Sequence, residues 1–157
     1  GSFLASTKEK GNVSIGKLKV TKGDDYYAEH NLEPVQLIKI DVEGLEKSVL
    51  SGLKNTLINF RPVIVCEVTY GESQSFYNLE QLSSTLPNDY LIYRFNTRKP
   101  NGKTARRRGA RAKRTGRYEL QAVTRFPEAG QDDLVAIPKE HKHLIPLTGP
   151  HREASRQ

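Results

Sequence analysis

Between Val35 and Phe95 the apolar residues follow two different periods, and the switches between them lay out the elements. Val35-Gln36-Leu37-Ile38-Lys39-Ile40-Asp41 is a short β-branched run ending in a carboxylate. A strand covered on both faces, with its carboxyl end at a cleft, has this pattern. Leu45, Val49, Leu50, Leu53 and Leu57 then fall three or four residues apart, which predicts one helix from about Gly44 to Ile58 with its apolar side on the sheet. Arg61-Pro62 ends that helix, because proline has no amide proton and disfavours helical geometry in the residue before it. Val63 to Thr69 reads as a second buried strand. Phe76, Leu79, Leu82 and Leu86 return to helical spacing after Gly71, and Pro87-Asn88-Asp89 closes that segment with turn chemistry. Tyr90 to Phe95, Tyr118 to Thr124 and Asp133 to Ile137 supply three more strands. Upstream, Gly16 to Val20 is a weak strand, and Asp24 to His30 a short helix with acids in its first turn.

No helical pattern connects Phe95 to the strands that follow, so the simplest link is an antiparallel hairpin carrying a polar loop. The order is strand, helix, strand, helix, strand and antiparallel return. This predicts an α/β fold, a parallel sheet with an antiparallel edge. One body over 1–140 is expected, with a basic hairpin insertion at 98–117 and a flexible tail at 141–157 broken by Pro146 and Pro150.

Charge changes this picture in one place. The 157 residues carry a net +7, but between Arg98 and Tyr118 stand ten Lys or Arg and no acid. Taking those ten from +7 leaves −3, so the body is mildly acidic and the basicity is local. Arg106, Arg107, Arg108, Arg111, Lys113 and Arg114 repel one another unless a polyanion neutralises them. They make either a solvated insertion or a contact for nucleic acid or another acidic partner. The single Cys66 lies in an apolar run and reads as core filler. Four scattered histidines give no zinc spacing, and no metal site is expected. No apolar run reaches the ~18 to 20 residues that cross a bilayer, and no signal segment opens the chain. No membrane association is expected, and a cytoplasmic location is.

The candidate chemistry concentrates where the first buried strand gives way to the helix. Asp41 and Glu43 stand at that junction and Gly44 allows a tight turn. Ligands of open α/β sheets bind beyond the carboxyl ends of the strands. Ionised carboxylates there could take a proton from a hydroxyl, hold an ammonium or bind a divalent cation; alternatively they only cap the helix. Glu67 is the second candidate, near the end of the next strand. A carboxylate in so apolar a run needs a wet cleft or a partner such as Lys39 or Arg61.

Leu37-Ile38-Lys39-Ile40-Asp41-Val42-Glu43-Gly44-Leu45-Glu46, followed by Leu50, Gly52, Arg61-Pro62-Val63-Ile64 and Glu67, resembles the central signature of FkbM-like methyltransferases. Asp132 to Pro138 is similar to that family's last strand, and the resemblance extends from about Lys19 to Pro138. It implies a Rossmann-like class I methyltransferase fold from its fourth strand onward, and methyl transfer from S-adenosylmethionine to a hydroxyl of a sugar or small natural product. Asp41 would lie beside the methionine moiety of the cofactor and the acceptor, with Glu43 next to it as the catalytic pair; Lys39 and Glu67 are assigned to the acceptor. The glycine-rich turn and the acid that hold the cofactor in such enzymes are not found before Lys39. The chain is therefore expected to be the C-terminal half of the sheet, with an antiparallel last strand, and inactive alone. An open sheet edge would favour homo-oligomers. The competing readings are a nucleic-acid-associated protein and a non-enzymatic interaction module on the same scaffold.

Overall fold

The computed structural model describes residues 16, 19–71, 75–95 and 120–145. Helix α1, Gly23–His30, has Asp24 and Asp25 in its first turn and stops at Asn31 in the left-handed conformation. Strand β1, Leu37–Ile40, is followed by α2, Glu46–Ser51, and α3, Lys54–Phe60. Strand β2, Val63–Tyr70, leads to α4, Leu79–Ser84, then to β3, Tyr90–Phe95. Strands β4, Leu120–Ala122, and β5, Gly130–Pro138, precede a 3-10 helix, Lys139–Leu144. Among the described residues no helix is long and apolar enough to cross a membrane.

The single helix expected over 44–58 is two helices, and the cause lies in α1. Gly52 ends α2 by donating to Ser48 O at 3.0 Å, and its own carbonyl accepts from Asp24 N at 2.8 Å. The Asp24 carboxylate then accepts from Asn55 N at 2.8 Å and from Thr56 N and Oγ1 at 2.9 and 2.7 Å. These are the amides that a helix start leaves open, so α3 is capped by a side chain from another helix. The approach is close: a Cβ on Gly23 would lie 2.3 Å from Leu53 Cδ2. Helix α4 also starts later than its apolar spacing suggests. Asn78 accepts from Gln81 N, while Gln81 Oε1 accepts from Tyr77 N, a reciprocal cap that sets the first turn at Leu79. Phe76 lies before it and forms a bridge with Tyr70.

The sheet order is β1-β2-β5-β3-β4. β1 and β2 are parallel, and β5 is antiparallel to both β2 and β3. The antiparallel return expected at an edge thus lies inside the sheet. β3 and β4 form the antiparallel pair that frames the expected insertion; the insertion itself, 98–117, lies outside the described residues, as does Tyr118. Among the described residues of the weak strand foreseen at 16–20, Gly16, Lys19 and Val20 are not in a strand. The 3-10 helix takes in His141 to Leu144, the start of the segment assigned to a flexible tail; 146–157 is outside the described residues.

Strand alternation divides the interior in two. Ile40, Ile64, Cys66, Val68, Leu134 and Ala136 pack with Leu50, Leu57 and Leu82 of the helices. Val135, Ile137 and Tyr93 form a second cluster with Val63, Val65 and Phe95 on the other face. Lys39 and Glu67 alternate with the first set and belong to the second face.

Candidate active site

Asp41 follows directly on Ile40, the last residue of β1. Its Oδ2 accepts from Lys39 Nζ at 3.0 Å, with both side chains about half exposed. After Val42 come two consecutive left-handed residues, Glu43 at φ 53° and Gly44 at φ 98°. Glycine accepts that conformation freely, whereas for glutamate it is uncommon. Leu45 N donates to Val42 O at 3.4 Å, and Gly44 N donates to Glu46 Oε1 at 3.0 Å. The helix begins at Glu46 with Leu45 as its N-cap and no side-chain cap. Asp41 and Glu43 are therefore not caps; they stand on a turn at the mouth of the sheet.

Glu67 lies opposite Asp133 of β5, and its carboxylate accepts from Gln131 Nε2. Neither cation considered for it is its ion-pair partner. Lys39 pairs with Asp41, while Arg61 ends α3 and binds Glu140 through Nε at 2.5 Å and Nη2 at 3.0 Å. The Arg61 guanidinium holds Glu140 down to about 2. The Arg61 guanidinium also sits over the Tyr90 ring, 5.4 Å from its centroid.

Partial burial raises the pKa of Glu67, and the neighbouring Asp41, Asp133 and Glu43 push it further up, with Lys39 opposing. The Lys39 ammonium is in turn held protonated by its bond to Asp41 against a small desolvation, with help from Asp133 and Glu67. Lys39, Asp41, Glu43 and Glu67 thus share one electrostatic neighbourhood, to which the fold adds Asp133. Asp133 and Gln131 were not found by sequence reasoning, since only the β2–β5 register brings them beside Glu67. Glu46 was also missed, though it stands two residues after the glycine of the turn. It is 3% exposed, and its Oε2 has no partner among the described residues.

Cys66 is buried, and desolvation pushes its thiol up to about 12, consistent with core filler. Among the described residues no three His, Cys, Asp or Glu are grouped to hold a metal ion. Arg106, Arg107, Arg108, Arg111, Lys113 and Arg114 lie outside the described residues. A pocket of about 260 Å³ on the helix layer, lined by Leu50, Leu57, Ile58 and Pro87 among others, contains none of the acids.

The family model of the methyltransferase FkbM domain matches residues 2–95, more than half of the 157. The chain belongs to the FkbM methyltransferase family. No curated protein and no solved structure matches it. The FkbM match takes in β1, β2, β3 and the turn bearing Asp41 and Glu43, and ends before β4 and β5. The five-stranded α/β sheet is consistent with a methyltransferase-like fold. For an FkbM methyltransferase the donor set at the sheet mouth can be tested against the methyl donor that such enzymes use. Several carboxylates around one lysine suit the cationic end of S-adenosylmethionine, its ammonium and sulfonium groups. Among the described residues no glycine-rich turn follows a strand upstream of β1 to receive the nucleotide end.

Proposed function

We propose that the chain carries the acceptor side of an S-adenosylmethionine-dependent O-methyltransferase acting on a hydroxyl of a sugar or small natural product. The observation that carries this reading is the position of Asp41 and Glu43 on a left-handed turn at the carboxyl end of β1, within the segment matched by the FkbM family. S-adenosylmethionine supplies, when bound, a methyl group on a sulfonium sulfur that leaves as a neutral thioether. Asp41 and Glu43 hold the positive charge of the donor at the mouth of the sheet. Lys39 fixes one oxygen of Asp41 and presents its remaining protons to the oxygen of the acceptor. Glu67, whose proton affinity is raised by burial and by its acidic neighbours, receives the proton that the hydroxyl loses. Acceleration in such a site comes chiefly from holding the reacting atoms in line, with the carboxylate adding general-base assistance.

The test is a titration of the ¹⁵N-labelled full chain with S-adenosylmethionine and, separately, with S-adenosylhomocysteine, which lacks the sulfonium charge. Amide shifts confined to the 41–46 turn and the Glu67 region, weaker binding of the neutral analogue, and loss of the response in Asp41→Asn are expected. A chain that shows no shift at millimolar S-adenosylmethionine, or that binds both compounds equally, would overturn the proposal.

A second reading is favoured by the ten basic residues without an acid between Arg98 and Tyr118. β3 and β2 are both antiparallel to β5, so Phe95, where β3 ends, lies at the same end of the sheet as Asp41. In this reading the chain associates with nucleic acid or another polyanion. Binding should then weaken steeply with salt, roughly in proportion to the number of phosphates neutralised. It should also disappear when Arg106, Arg107, Arg108, Arg111, Lys113 and Arg114 are neutralised together.

A further inference from the structure

Resting on the methyltransferase reading of the sheet mouth, we infer that Glu46 is a positioning residue of the site, fixing Glu43 through its bond to the Gly44 amide. Glu46 is 3% exposed, yet only Oε1 has a partner, Gly44 N at 3.0 Å; Oε2 is buried with none among the described residues. A carboxylate in that position is costly for stability, so a neutral side chain would serve a merely structural helix start better. What the carboxylate secures is the preceding turn. Glu43 and Gly44 are both left-handed, and a glutamate leaves that conformation readily unless its surroundings hold it. The backbone bond that closes the turn, Leu45 N to Val42 O, is long at 3.4 Å. The Glu46 bond to the same turn is shorter, at 3.0 Å. Losing it frees the Gly44 peptide to rotate, and with it the left-handed backbone that sets the direction of the Glu43 side chain.

The experiment compares Glu46→Gln, Glu46→Ala and Leu50→Ala in the full chain. Leu50 is fully buried one turn further along the same helix, in the apolar core beneath the sheet, with no polar atom to offer the turn. Three quantities are read: exchange of the Gly44 amide, the three-bond HN–Hα coupling of Glu43 that reports its φ, and S-adenosylmethionine affinity from amide shifts. Melting temperature is followed alongside. In Glu46→Ala the Gly44 amide should exchange about tenfold faster or more, the Glu43 coupling should average, and affinity should fall by roughly the same factor. Glu46→Gln keeps an acceptor for Gly44 and should stay close to the parent protein on all three. Leu50→Ala should lower the melting temperature at least as far while leaving the turn and the affinity intact. If Glu46→Ala does not fold, Glu46→Asp, one methylene too short to reach Gly44, takes its place with the same expectation.

Unchanged Gly44 exchange in the alanine or aspartate variant would overturn the inference. So would parallel losses in Glu46→Ala and Leu50→Ala. Loss of affinity in Glu46→Gln with Gly44 still protected would also overturn it, by making the second oxygen a direct ligand. A parent chain that does not respond to S-adenosylmethionine sinks the methyltransferase reading alone; the Gly44 and Glu43 measurements still decide what Glu46 does.

Discussion

Glu67 sits on the sheet face with Asp41 and Asp133 close enough to raise its proton affinity beyond the effect of burial. A raised carboxyl pKa means that the folded chain holds this proton more tightly than the unfolded one. Glu67 therefore favours folding below its unfolded pKa, and that contribution is lost as the pH rises through the folded value. At neutral pH its charge is a burden. Glu67→Gln keeps an acceptor for Gln131 and should raise the melting temperature at pH 7, the gain vanishing as the pH falls below the ordinary carboxylate range. Thermal unfolding of both proteins between pH 3 and 8 checks it, and a constant difference across that range would refute it. The burden is what a proton-accepting site requires, so the stabilised variant should also lose the ability to deprotonate an acceptor. Cys66 illustrates the opposite outcome of burial. A thiol pushed up to about 12 has roughly a thousandfold less thiolate than a free cysteine at the same pH. Alkylation by iodoacetamide should be slow in the native protein, where Cys66 is buried, and should follow global unfolding when denaturant is added.

At the scale of elements, the division between α2 and α3 rests on one carboxylate. Asp24 accepts from the Asn55 and Thr56 amides and from the Thr56 hydroxyl. Desolvation raises its pKa, but these bonds outweigh it and leave the pKa below the usual carboxylate range. The contribution is therefore present above the unfolded pKa and lost as the pH falls through the folded one. Asp24→Ala should cost about 1–2 kcal/mol at neutral pH, the usual loss for a helix cap, and progressively less at acid pH as Asp24 of the folded parent is protonated. Denaturant titrations at neutral and acid pH check both. This cap also marks where reading the sequence stops. The leucine spacing from Leu45 to Leu57 located the helical stripe, and Arg61-Pro62 its end, because both are local. The break at Gly52 is not legible, since the group that makes it, Asp24, lies 31 residues before the Asn55 amide that it caps and reads there as an ordinary acid in the first turn of its own helix. The site divides in the same way. Asp41 and Glu43 stand out beside a glycine at a change of period, whereas Asp133 becomes their neighbour only through strand pairing and Glu46 only through its burial.

At the scale of the whole molecule, β5 holds the sheet together, and the order of the strands along the chain conceals it. An alternating or apolar run announces a strand but not its neighbours, so a late antiparallel strand was expected at an edge. In the fold it enters between β2 and β3, which are not paired with each other. Leu134 and Ala136 then fill the core beneath the helices, while Val135 and Ile137 fill the opposite one. In this position β5 is buried on both faces from Leu134 to Pro138, as its continuously apolar run requires, whereas the second face of β2 stays half-buried. Leu134→Ala and Ile137→Ala should each cost about 2–5 kcal/mol, as large-to-small changes in packed cores do, although both residues lie beyond the segment matched by the family model. The stronger consequence concerns that segment itself. A chain ending at Phe95 keeps Asp41, Glu43, Glu46 and Glu67 but leaves β3 with no partner and β2 with an open edge of eight residues. Such an edge invites aggregation. The 1–95 chain should therefore show no cooperative thermal transition by circular dichroism, and adding a peptide spanning 128–140 in excess should restore one. A cooperative transition in 1–95 alone would mean that the acidic site can be built without β5.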